Sequence, residues 1–135
     1  MMRYDSNDGK RRESIVTTAI LLHCCDYNGK RYEFAVHAER QANCPKWDPE
    51  KDANPPLSAA AALAKATKFI ETIKTKDGVW WELEELALVK LDGWMWQAHY
   101  RLTKFGVMTG VWPRMPCWIL MDGTVVQPKI TDNKE

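Results

Sequence analysis

Glu84, His99 and Arg101 are the side chains in this sequence best placed to do chemistry. They lie within residues 79–103, VWWELEELALVKLDGWMWQAHYRLT, which reads as two strands joined by the two-residue turn Asp92-Gly93. Setting Leu91 opposite Trp94 pairs Glu84 with Arg101 and Leu86 with His99 on one face. A carboxylate, an imidazole and a guanidinium on adjacent strands could handle a proton or hold an anion; the same residues also make an ordinary surface pair. The other face carries Trp94, Trp96 and Tyr100 at even spacing. Exposed, that trio would offer a stacking platform for a sugar ring, a base or a peptide; covered, it is core, and a helix has to cover one face of the sheet. Glu85 lands opposite Tyr100 on this apolar side and needs a partner there or an edge position.

A helix over residues 80–91 competes with this hairpin through Leu83, Leu86, Leu88 and Leu91. Leu88 falls off the helical line, and the paired tryptophans and the Asp-Gly turn favour strands. The strand reading is kept.

Four cysteines, Cys24, Cys25, Cys44 and Cys117, have neither the spacing of a disulfide framework nor that of a metal site. Cys24 and Cys25 are adjacent and diverge on a strand. The nearest approach to a ligand set is His37 with Cys24 on one face of the first hairpin, followed by Cys44, which gives three ligands at most. Free thiols, no metal and no cofactor are expected. No Walker A, dinucleotide fingerprint, His-Glu-x-x-His, calcium loop or serine elbow occurs, and the glycines sit in turns. His23, His37 and His99 read first as structural histidines.

The elements that would position these groups follow from pattern. A strand begins near residue 14 and runs to Cys25, Asn28-Gly29 makes a hairpin turn, and a second strand follows from Lys30 to about Ala38. Opposing Tyr27 to Lys30 gives a core face of Cys25–Tyr32, His23–Phe34, Leu21–Val36 and Ala19–Ala38 pairs. Residues 40–57, rich in proline, form a connector that Trp47 pins to the body, either as a lid or as an ordered crossing. Ser58 caps a helix over 58–75 with Ala59, Leu63, Ala66, Ile70 and Ile73 on its buried stripe, ended by Gly78. After the central hairpin, residues 105–115 read as a loop with Trp112 as its anchor. Residues 117–121 and 124–127 make a third hairpin around Asp122-Gly123.

The order ββαββββ predicts an α+β domain with one helix packed on a curved, mostly antiparallel sheet, an arrangement that resembles cystatin-like folds. No functional motif of that family is found, so the resemblance implies an arrangement and no activity. Residues 1–13 are expected to be a polar arm, 14–130 the domain, and 131–135 a tail that frays.

Nineteen Lys and Arg against eighteen Asp and Glu leave a net charge of +1, which argues against a general nucleic-acid binder. No apolar run approaches the ~20 residues needed to cross a bilayer. The polar N-terminus is no secretory signal, so an intracellular, cytoplasmic location is the default expectation. Two function classes remain open, and with them whether the protein is an enzyme. The leading one is a non-catalytic domain that binds a protein partner or a second copy of itself through a strand edge or the back of a sheet. The alternative is a small-molecule site in a pocket between helix, sheet and the 40–57 loop.

Overall fold

The computed structural model describes residues 19–104 and 113–132. The expected N-terminal arm, the start of the first strand before residue 19, the Trp112 anchor and residues 133–135 lie outside them.

β1 (Ala19–Tyr27) and β2 (Lys30–His37) form the first hairpin. Asn28 and Gly29 both adopt positive φ, 55° and 75°, as the tightest two-residue turn requires. Tyr27–Lys30, Cys25–Tyr32 and His23–Phe34 oppose one another as read from the sequence. Beyond His23 a register shift pairs Leu21 with Ala35 and Ile20 with Val36. Leu21 is thereby turned out to solvent, 58% exposed, while Val36 stays buried.

The chain then forms a short helix α1 (Ala38–Ala42), a proline-rich crossing, and α2 (Ala59–Ile70). Ser58 caps α2 by accepting the Ala61 N–H at 3.1 Å. Its buried face is Ala62, Ala66, Phe69 and Ile70, with Ile73 buried just beyond the helix. Leu63 is only half-buried and Ala59 is exposed, so the stripe is rotated slightly from the one expected. The helix stops well before residue 75. Thr72 donates its hydroxyl to the Phe69 carbonyl at 2.6 Å, and this takes an acceptor of the last turn. Gly78, at φ 80°, serves the turn into the next strand instead.

β3 (Val79–Lys90) and β4 (Trp94–Lys104) form the central hairpin, and β5 (Arg114–Leu120) pairs with β4. β6 (Lys129–Asp132) pairs with β2.

Two expectations are corrected here. The fold is not one helix on a single curved cystatin-like sheet: the described residues form two separate three-stranded sheets, ordered β1-β2-β6 and β3-β4-β5, and two helices. The hairpins themselves are local and readable; which hairpins join is not. β1 meets β5 through a thiol contact, Cys25 Sγ to the Arg114 carbonyl at 2.8 Å. The second correction concerns the last strand. The Asp122-Gly123 turn forms, with Gly123 at φ 90°, but pairing beyond it is reduced to an isolated Ile119–Val125 bridge and a Val126 N–H bond to the Trp118 carbonyl at 2.9 Å. Pro128 has no N–H to continue it. The chain crosses over, and Lys129–Asp132, whose last two residues belong to the tail expected to fray, becomes an edge strand beside β2.

The register of the central hairpin is also displaced by one residue. Lys90, not Leu91, faces Trp94, so Leu88 opposes Trp96 and Leu86 opposes Ala98. An irregularity between Leu83 and Glu85 then shifts the register by a second residue, setting Leu83 opposite Tyr100 and Trp81 opposite Leu102. Trp81, Leu83, Leu86 and Leu88 thus share the face of Trp96, Ala98 and Tyr100. Two of its indoles brace the flanks of α2: Trp96 donates to the Leu57 carbonyl at 2.8 Å and Trp81 to that of Ile73 at 3.1 Å. Phe69 of α2 also meets Phe34 of β2 edge-on, with centroids 6.1 Å apart.

Candidate functional site

The β-bulge builds the charged cluster. An extra residue at Glu84 lets Glu82, Glu84 and Glu85 serve the same side of the sheet. Glu82 pairs across the ladder with Arg101, Glu85 with His99, and Arg101 in turn with Arg114 on β5. Glu84 receives a two-pronged bond from Arg114, Nε to Oε1 at 2.8 Å and Nη2 to Oε2 at 3.2 Å. Arg101 reaches Glu84 and Glu82 at 3.6 Å each, and Thr103 donates to Glu82 at 3.1 Å.

Glu84, His99 and Arg101 are therefore brought to one patch, with Glu84 and Arg101 in contact as expected, though not as ladder partners. Arg114 and Glu82 belong to the same patch and were not singled out from sequence, and Glu85, which the sequence register puts on the apolar face, joins them. The signal for Glu82 and Glu85 was present in the glutamate spacing around Leu83. Arg114 was hidden in what reads as a loop.

The patch is built to neutralise charge. The Arg114 guanidinium holds the Glu84 carboxyl below the usual carboxylate range, with Arg101 and His99 adding to it against a smaller effect of burial. His99 Nδ1 stands 3.9 Å from Glu85 Oε1, too far for a hydrogen bond that would orient a general base. These contacts make an ion-pair network on a sheet face.

The aromatic trio divides. Trp96 and Tyr100 are 7% and 4% exposed and belong to the core under α2, so they offer no stacking platform. Trp94, at the hairpin end, is half-buried and turns toward the 40–57 connector. Trp47 meets it edge-on with centroids 5.1 Å apart, and the Trp47 indole donates to the Asp52 carbonyl at 2.9 Å. The connector is thus an ordered crossing anchored by Trp47. Between it, α1 and the β3–β4 turn lies a cleft of about 460 Å³. Gln41, 5% exposed, forms part of its wall and donates Nε2 to the Gly93 carbonyl at 2.9 Å. Its Oε1 has no hydrogen-bond partner among the described residues. A buried amide oxygen left so costs about 1–3 kcal/mol.

All four cysteines are free thiols. Burial pushes Cys25 up to about 11 and Cys117 up to about 12, and raises Cys44 as well, so none of these three is a thiolate at neutral pH. Among the described residues, no three His, Cys, Asp or Glu side chains converge as metal ligands. No helix of the described residues is long and apolar enough to cross a membrane. Comparisons with known proteins find no matching family model, no similar curated protein and no similar solved structure.

Proposed function

We propose that this protein is a non-catalytic interaction domain that binds an extended segment of a partner protein along the outer edge of β3. One observation carries the reading. Of the five exposed large apolar side chains among the described residues, Trp80, Leu83 and Leu91 lie on β3 or in the turn after it. β3 is twelve residues long and forms the edge of its sheet, with no strand beyond it among the described residues. A long edge with apolar side chains is a template for strand addition. Beside its start, a shallow hollow of about 520 Å³ between Ile70, Ile73, Trp80 and Trp81 would take the partner's apolar side chains.

A different protein suits this edge better than a second copy. Antiparallel pairing of β3 with itself about its centre sets Glu84 against Glu85, and like charges directly opposite destabilise a ladder. A segment carrying lysine or arginine meets the same acidic run favourably.

The test uses isotope-labelled protein and a synthetic peptide of about eight alternating lysine and valine residues, the length of an ordinary strand. The expected result is saturable shifts and slowed hydrogen exchange in β3 amides, abolished by Trp80→Glu. Shifts confined to β1 or β6, or none at peptide concentrations near 1 mM, a weak-binding limit, would overturn the reading.

A further inference from the structure

We infer that the segment received by the β3 edge is short, pairs with Trp81–Leu83 alone, and carries a lysine or arginine between two apolar residues. The inference rests on the β3-edge reading and specifies which stretch of the edge, and which partner sequence, that reading requires.

The backbone hydrogen bonds decide which groups of β3 are free. Along an antiparallel ladder, alternate residues bond one neighbour, and those between turn their N–H and C=O the other way. Leu102 gives its N–H to the Pro113 carbonyl at 3.1 Å, on the β5 side of β4. Tyr100, Ala98 and Trp96 follow it at every second position and turn the same way. Their partners on β3 are Trp81, Leu83, Leu86 and Leu88, whose backbone groups therefore point to the open edge. Val79 has the same orientation, but its groups are taken. Its N–H meets the Lys76 carbonyl at 3.1 Å, and its carbonyl accepts the Thr75 hydroxyl at 2.7 Å. The free positions are thus separated by two, three and two residues. A regular partner strand bonds at every second residue and cannot keep its register across the bulge at Glu84.

The stretch before the bulge is the one equipped to hold a partner. Trp80 and Leu83 are exposed there, and the hollow beside Ile70 and Ile73 opens next to Trp80 and Trp81. Leu86 and Leu88, beyond the bulge, are half-buried against their own domain. Glu82 stands between the two free positions on the opposite face, exposed, with Arg101 3.6 Å away. Its patch holds three carboxylates, Glu82, Glu84 and Glu85, to the two guanidiniums of Arg101 and Arg114. A cation opposite Glu82, flanked by apolar residues opposite Trp81 and Leu83, matches both faces of this stretch.

The probe is acetyl-Thr-Leu-Lys-Leu-Thr-amide, a peptide of about five residues, titrated into isotope-labelled full-length protein. Saturable binding should slow hydrogen exchange at the Trp81 and Leu83 amides and leave those of Leu86 and Leu88 unchanged. Glutamate in place of the peptide's lysine should weaken binding by about tenfold, the scale of one charged contact. The variant Glu82→Lys should reverse that preference, and Glu82 is exposed, so the fold is kept. Slowed exchange at Leu86 and Leu88, with or without Trp81, would leave the β3-edge reading standing and overturn the short, bulge-limited site. Equal affinity of the lysine and glutamate peptides would overturn the basic partner in the same way. Absence of any effect on β3 amides with this peptide and with the longer lysine-valine peptide would remove both readings.

Discussion

Glu84 sits on a bulge with two guanidinium groups against it, which makes its ionisation part of the fold. Its folded pKa is lowered relative to the unfolded chain, so the unfolded state binds more protons in acid. The stabilisation is complete above the ordinary carboxylate value of about 4.5 and is lost as pH falls through the lower folded value. Being solvent-facing, the pair contributes only weakly. Glu84→Gln should lower the urea midpoint slightly at pH 7 and flatten its decline in acid; an unchanged acid limb would contradict this. The thiols give a second prediction. Cys25, Cys44 and Cys117 are buried and held protonated by that burial, while Cys24 is half-buried. With Ellman's reagent at pH 8, one thiol should react rapidly in the native protein and all four in guanidinium. Fast reaction of two or more native thiols would show that the core opens readily. At this scale the sequence showed Glu84, His99 and Arg101 as neighbours because two of them share a strand and the turn fixes the third. It hid Arg114, whose strand is brought alongside β4 only by tertiary pairing.

Helix α2 is the element on which the core face of the β3-β4-β5 sheet closes. Ala66 is fully buried on it, and Lys68 points to solvent. Ala66→Glu combines overpacking with an unpaired buried charge and should cost about 3–5 kcal/mol, whereas Lys68→Glu should change the urea midpoint little. Equal, small effects would show that the buried face is wrong. Ser58→Ala removes the hydroxyl that receives the Ala61 N–H and should cost about 1 kcal/mol. The same scale shows why β3 was only half-readable. Its apolar residues Trp81, Leu83, Leu86 and Leu88 are spaced by two, three and two. A perfect strand has no step of three, so the pattern also fits a helix in part. The step is the bulge at Glu84. Glu85, which a bulge-free register buries beside Tyr100, was the sign of the slip: in the structure it faces His99 instead. Local turn chemistry identified all three reversals, but a bulge depends on what packs above the sheet, and that is not local information.

At the scale of the whole molecule, the question is what a small domain with open strand edges does in solution. Among the described residues the sheets end in β1 and β6, and in β3 and β5, and each of the first three carries an exposed apolar side chain: Leu21, Ile130 and Trp80. Such edges invite pairing, and natural domains blunt them with charge. β6 has Lys129 and the Lys30–Asp132 ion pair at 3.0 Å beside it, and β3 has its glutamates. Those glutamates set opposite one another across a two-fold axis, so self-association through β3 would be worst at low ionic strength and relieved by salt. The expectation for sedimentation equilibrium at about 10 μM, a concentration at which a micromolar dimer would be half-formed or more, is therefore one species of 15.6 kDa in low salt. Any dimer should strengthen as salt is added, and Glu84→Lys together with Glu85→Lys should leave the β3–β3 repulsion in place because the like charges remain opposed. A stable dimer in low salt that dissociates in high salt would mean that complementary charges join the copies, and that the face responsible is not the β3 edge.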